Sequence, residues 1–256
     1  MVVEHIEKSW KAYKKNFWPI ITAMLLQLIL SGIPVLIGFI PWIFIFLFSK
    51  GANITTLILS NLGVLSFTII MCIIGVLISI ALTAGFVRML YEALRGKTKF
   101  ETMLKTARKK FWTIIGANLI FLLVILCLII VIFFPLLSLI GSPSLLGGYS
   151  FSSLIIIFSI AILGLILIGL ISIFFVFIDQ AIVIDDLKAI PSISKSFEVA
   201  KKSYLTILGL MFIFILINSA LDSLFSIIGV IIESFVTTPL LLLSYISVYL
   251  EKKSKK

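Results

Sequence analysis

The stretch KKNFWPII at 14–21 is followed by KKFWTIIG at 109–116 and by KSYLTILG at 202–209. Three times the chain runs from lysine through aromatic rings into an apolar run. Placing Phe17, Phe111 and Tyr204 in register gives offsets of 94 and 93 residues. The upstream positions then coincide: Ile6 with Phe100 and Ile193, Trp10 with Leu104 and Phe197, Tyr13 with Ala107 and Ala200. This is one pattern in three copies, and the period divides the chain into units at 1–92, 93–185 and 186–256 of one membrane domain.

Beyond each octamer the chain stays apolar for the length of a bilayer crossing. The composition is 61% hydrophobic and 12% charged, with mean hydropathy +1.28, which leaves too little polar surface to coat a soluble globule of 256 residues. A span of the hydrocarbon core takes about 20 apolar residues. Six such runs are expected, at Phe17 to Phe48, Leu62 to Tyr91, Phe111 to Ile140, Phe151 to Ile184, Tyr204 to Ile232 and Val236 to Leu250. The fold class is therefore all-α integral membrane, with six transmembrane helices in three two-helix repeats inserted in parallel. Pro34, Pro41 and Pro135 are kink positions, and Gly32 to Pro34 leaves a re-entrant first hairpin as an alternative.

Upstream of each octamer the apolar positions fall at steps of four, three and four, one face of a helix, with Lys, Arg, Glu, Ser and Thr elsewhere. Each unit should open with an amphipathic helix lying in the cytoplasmic interface, and the octamer should be the elbow into the bilayer. Thr98 and Glu101 have capping-box spacing, and Pro191 suits a helix start. Lys14, Lys15, Lys109, Lys110, Lys201 and Lys202 are candidate lipid head-group contacts, with Trp18 and Trp112 in the aromatic belt.

Twenty of the 21 Lys and Arg residues fall in four clusters on one side of the six-span topology, Lys50 being the other. The positive-inside rule makes that side cytoplasmic, with both termini inside a prokaryotic plasma membrane. The net charge of +10 thus belongs to the bilayer rather than to nucleic acid. The start is too polar for a cleaved signal peptide, so the first span is expected to serve as its own uncleaved targeting signal.

The stretches SWKAYKKNFWPII, YEALRGKTKFETMLKTARKKFWTIIG and AIVIDDLKAIPSISKSFEVAKKSYLTILG carry a resemblance. They resemble a broad archaeal and bacterial polytopic family, similar to the membrane domain fused to some glycerophosphodiester phosphodiesterases. The resemblance implies a six-helix membrane protein. It implies no catalysis, because the phosphodiesterase domain has no counterpart here.

Chemistry-bearing residues are sparse. His5 is the only histidine, so neither a Ser-His-Asp set nor a histidine metal cluster can be built, and no cofactor is expected. Cys72 and Cys127 sit in separate apolar spans without metal or disulfide spacing. The loop GSPSLLGGYS lacks the lysine of a phosphate loop, and the NIT triplet at Asn53 is a chance glycosylation match. Asp179, Gln27 and Asn218 are the candidate intramembrane polar site, because ionisable or amide groups at depth need partners. Arg88 and Glu92 suit an i, i+4 pair, and Asp222 and Glu233 should lie near the outer face. Gly75, Gly85, Gly164 and Gly169 would allow close helix approach.

The function expected first is non-enzymatic: contacting or organising membrane lipids, in a complex with a membrane protein partner or as a homo-oligomer. A solute transporter with a path between the repeats is the alternative. A lipid enzyme using Asp185 and Asp186 ranks last.

Overall fold

The structure, a computed structural model, describes residues 2–48, 60–140, 151–225 and 227–254. Lys50, the Asn53 triplet and the loop at 141–150 lie outside the described residues. Among the described residues every element is helical: α1 Val2–Lys15, α2 Phe17–Phe48, α3 Leu62–Arg95, α4 Phe100–Ile140, α5 Phe151–Ser172, a 3-10 turn Ile173–Phe175, α6 Ile178–Ile184, α7 Ala189–Phe225, α8 Ile227–Ile232, a π-helical turn Glu233–Thr237 and α9 Thr238–Ser254. Six helical stretches are long and apolar enough to cross a membrane. The first is unbroken through Pro34 and Pro41, so the re-entrant alternative is not adopted.

Four local expectations are corrected. The helix break at the octamer occurs in the first unit alone, at Asn16; α4 and α7 run without interruption through Lys110 and Ser203. The capping box at Thr98 does not form: Thr98 Oγ1 is buried without a partner among the described residues, and its backbone N–H goes to Asn16 Oδ1 at 3.2 Å. The fourth span is not one helix, because the 3-10 turn divides it. Here the Ser196 hydroxyl donates to Phe174 O at 2.6 Å and accepts from Phe177 N at 3.1 Å, filling bonds that the helix gives up. Finally, the limb that returns along α7 is already in place ahead of Glu233, where Gly229 packs against the Leu221 carbonyl. Glu233 is inside the returning limb, where Asn218 Nδ2 donates to it at 2.7 Å.

The second helices of the three pairs form the centre. α3 packs on α6 and on α9, and the Phe177 ring lies 5.6 Å from that of Tyr249. Met89, Leu90, Phe177, Leu243, Ile246 and Tyr249 are fully buried there. Around this centre α3 leans on the start of α4, α6 on α7, and α9 on α1. Gly85 of α3 sits against the Met103 carbonyl at a separation no Cβ could share. Ser196 of α7 fills the break before α6. Ser244 of α9 donates to Ser9 of α1 at 3.1 Å. Of the other glycines, Gly75 meets the Ser31 backbone, Gly164 meets the Ile132 side chain, and Gly169 faces open space.

Candidate functional site

Exposure repeats along the chain with the register of the sequence. Trp18, Trp112 and Leu205 are 74%, 80% and 83% exposed, and Trp10, Leu104 and Phe197 are 40%, 37% and 41% exposed. Ile20, Ile114 and Ile207, three residues beyond the elbow ring, are fully buried, as are Ser9, Met103 and Ser196 on the opening segments. Each opening segment therefore carries two faces. One, of small residues and single large plugs, is closed against protein. The other, of rings and leucines, is left open to its surroundings.

The candidate head-group cations flank the open face. Lys14, Lys15, Lys109, Lys201 and Lys202 are exposed, and Lys110 is half-buried. Lys14 lies 5.2 Å over the Trp10 ring, Lys202 pairs with Glu198 at 2.9 Å, and Lys110 pairs with Asp186. Hydrogen bonding from Lys110 holds the exposed Asp186 carboxyl below the usual carboxylate range. Register adds a cation that the lysine clusters alone do not point to. Arg108 coincides with Lys14 and Lys201, is exposed, and lines a 390 Å³ groove with Leu104, Phe111 and Trp112. The alignment of the three units itself holds that signal.

The acids that close the units are engaged. Glu92 pairs with Arg88 at 3.4 Å, the expected i, i+4 contact, and accepts from Thr102 at 3.0 Å. Asp185 accepts from Tyr249 at 2.7 Å and pairs with Lys253. Asp186 has φ 58°, a left-handed conformation that aspartate tolerates, and the adjacent carboxylates go to different lysines. His5, which no sequence motif marks as a candidate, is buried, with Nδ1 2.9 Å from Ser247 Oγ and Nε2 3.2 Å from Glu251. Burial pushes its pKa below the ordinary value against the opposing pull of Glu251.

The three intramembrane candidates are not brought together; among the described residues no hydrogen bond links any two of them. Gln27 Nε2 donates to Thr83 Oγ1 at 2.9 Å, tying α2 to α3. Asn218 joins Glu233 and accepts from Thr237 Oγ1 at 2.8 Å. Asp179 lies beside Asn118 of α4, an amide rather than a basic side chain, and its Oδ1 is buried without a hydrogen-bond partner among the described residues. Each amide thus fastens one helix pair, as hydrocarbon surroundings demand.

A sequence family described as Domain of unknown function (DUF7847) matches residues 26–250, and the chain belongs to it. No curated protein and no solved structure matches the chain.

Proposed function

We propose that this DUF7847 member is a multipass membrane protein, not an enzyme, that contacts and organises anionic lipid through its basic end. The observation that carries this is the thrice-repeated pairing of an open hydrophobic side chain with cations one turn away. Trp18, Trp112 and Leu205 stand out from the protein, with Lys14, Arg108 and Lys201 and then Lys15, Lys109 and Lys202 beside them. Indole rings favour the head-group layer, and each Lys or Arg near an anionic leaflet contributes about 1 kcal/mol. The same recurrence of exposure and burial supports three repeated units, each opened by an interfacial helical segment that is separate as α1 in the first and continuous with the span in the other two. The one-sided basic clusters support a cytoplasmic placement of that end, with both termini inside the cell. The packed centre around Phe177 and Tyr249 favours this function over a transport path between the units.

Native mass spectrometry of the full chain in mild detergent with dioleoylphosphatidylglycerol tests it. Wild type should retain the lipid, and the joint variant Lys15→Glu, Lys109→Glu, Lys202→Glu should lose it at least about tenfold. Equal retention by correctly inserted variant protein would overturn the assignment. The same spectra read any partner or second copy from the mass.

A further inference from the structure

A cavity of about 460 Å³ opens between the α2–α3 pair and the returning limb of the last hairpin. Its wall carries six hydrogen-bonding side chains and no charged one: Gln27 and Ser31 from α2, Ser79 and Thr83 from α3, Ser234 from the π turn and Thr238 from α9. Gln27 and Ser31 stand nine and thirteen residues past Trp18. At 1.5 Å per residue that is about 14 and 20 Å along the helix, near the middle of a hydrocarbon core about 30 Å thick.

Part of this polarity is spent inside the protein. Ser31 Oγ donates to Gln27 O at 2.7 Å, Gln27 to Thr83 Oγ1, and Thr83 Oγ1 to Ser79 O at 2.9 Å. Among the described residues, the hydroxyls of Ser79, Ser234 and Thr238 make no hydrogen bond to protein. Hydrocarbon offers them none, so three donors from three segments face one space with unused capacity. The wall is also built in an unusual way. The π turn, with Thr238 N–H bonded to Glu233 O, brings Ser234 and Thr238 to the cavity. Tyr13 Oη pins that turn by donating to Phe235 O at 2.9 Å. Glu233, next to Ser234, is held by Asn218 and does not line the cavity.

We propose that this cavity binds the uncharged head of a membrane-soluble lipid that carries hydroxyl or carbonyl groups. Ser79, Ser234 and Thr238 hydrogen-bond that head, and its apolar chain leaves into the bilayer. A phosphate or ammonium is excluded because the wall holds no counter-charge, and an unpaired ion at this depth costs far more than three hydroxyls return. The proposal rests on membrane insertion but not on anionic-lipid contact at the basic end.

The test is native mass spectrometry of the full chain with dioleoylglycerol, decylubiquinone or dioleoylphosphatidylglycerol added separately. One neutral lipid should be retained per chain: dioleoylglycerol where the wall reads hydroxyls, decylubiquinone where it reads carbonyls. Retention should fall at least about tenfold in the joint variant Ser79→Ala, Ser234→Ala, Thr238→Val. Ser234→Trp, at an exposed position, should block the cavity with little demand on folding, and in both variants dioleoylphosphatidylglycerol should stay bound. If wild type holds neither neutral lipid, or both variants hold it as wild type does, the cavity is not a lipid site. Retention of a neutral lipid without dioleoylphosphatidylglycerol would overturn the anionic-lipid function of the basic end alone.

Discussion

Residues 16, 110 and 203 occupy one place in the repeated register, immediately before the elbow ring, yet the chain behaves differently at each. At Asn16 the helix stops. The side-chain amide donates to Ala12 O at 3.0 Å, Ala93 O at 3.4 Å and Gly96 O at 3.1 Å, and its oxygen accepts from Thr98 N. At Lys110 the helix continues and the ammonium reaches Asp186, in the turn between α6 and α7. At Ser203 the helix also continues, and the hydroxyl bonds back to Val199 O at 2.7 Å. Asn16 and Lys110 thus fasten their segments to the turn that follows the second helix of their pair, whereas among the described residues Ser203 bonds to nothing beyond its own helix. An amide offers donors and an acceptor together, so it can satisfy backbone groups at a helix end. A lysine or serine cannot replace a severed ladder in that way, and there the ladder is kept.

The largest effect should come from breaking the first of these anchors. Asn16 is 2% exposed, so Asn16→Ala strands the buried Thr98 N–H and takes the donor from the half-buried Gly96 carbonyl. Each buried orphan costs about 1–3 kcal/mol, and a combined loss on the order of 3 kcal/mol is expected. Thermal unfolding of the protein in detergent, monitored by loss of the monodisperse species, measures it. A cost below about 1 kcal/mol would mean that the break at Asn16 is held by packing and not by the amide.

How far the sequence carries the fold can be seen at the same positions. The period of 94 and 93 residues is legible because rings and lysines recur with it, and exposure at 10, 104, 197 and at 18, 112, 205 keeps the same period. The buried face is not legible. Ser9 and Ser196 are fully buried, though serine beside lysine reads as a solvent-facing residue. They are used because a small hydroxyl permits close helix contact and still finds an acceptor, a choice set by a neighbouring helix far away in the chain. The break after Ser172 is hidden for the same reason: SIFFVFI holds neither glycine nor proline, and the group that repairs the backbone is Ser196. Glu233 misleads in the opposite direction. A lone acid after an apolar run suggests a loop, but Asn218, 15 residues earlier, absorbs it within the hairpin. For the candidate site, the lysines and tryptophans are readable, whereas Arg108 needs the register and the neutral cavity at Ser79 and Ser234 needs the third dimension.

A smaller effect is expected at the second anchor, and its dependence on conditions sharpens the contrast. Asp186 is exposed, so its pair with Lys110 is open to screening over about 8 Å at physiological ionic strength. Asp186→Asn should lower thermal stability slightly at low salt and not at all in high salt, a pattern that the Asn16 network should not share. The pH sign is fixed by the direction of the shift. A carboxyl held below its ordinary value contributes stability above that value and loses it as pH falls through the depressed one. The difference in melting temperature between wild type and Asp186→Asn should therefore vanish on acidification; a difference that persists would assign the effect to the left-handed backbone of residue 186 instead.

The smallest effect should be at Ser203, although it is as deeply buried as Asn16, at 2% exposure. Its hydroxyl donates to a carbonyl within its own helix, so Ser203→Ala removes a donor and strands no other group. Alanine is also the better helix former, and it leaves the methylene volume in place. The expected change is within about 0.5 kcal/mol, by the same thermal assay. Burial alone would predict similar costs at Asn16 and Ser203, whereas bonding across elements predicts a large one and almost none. A Ser203→Ala loss comparable to that of Asn16→Ala would show that the third segment is tied to its unit after all, through packing at this position. Near-equality with wild type leaves that task to the contact between the chain's two ends, where Ser9 and His5 of α1 meet Ser244, Ser247 and Glu251 of α9.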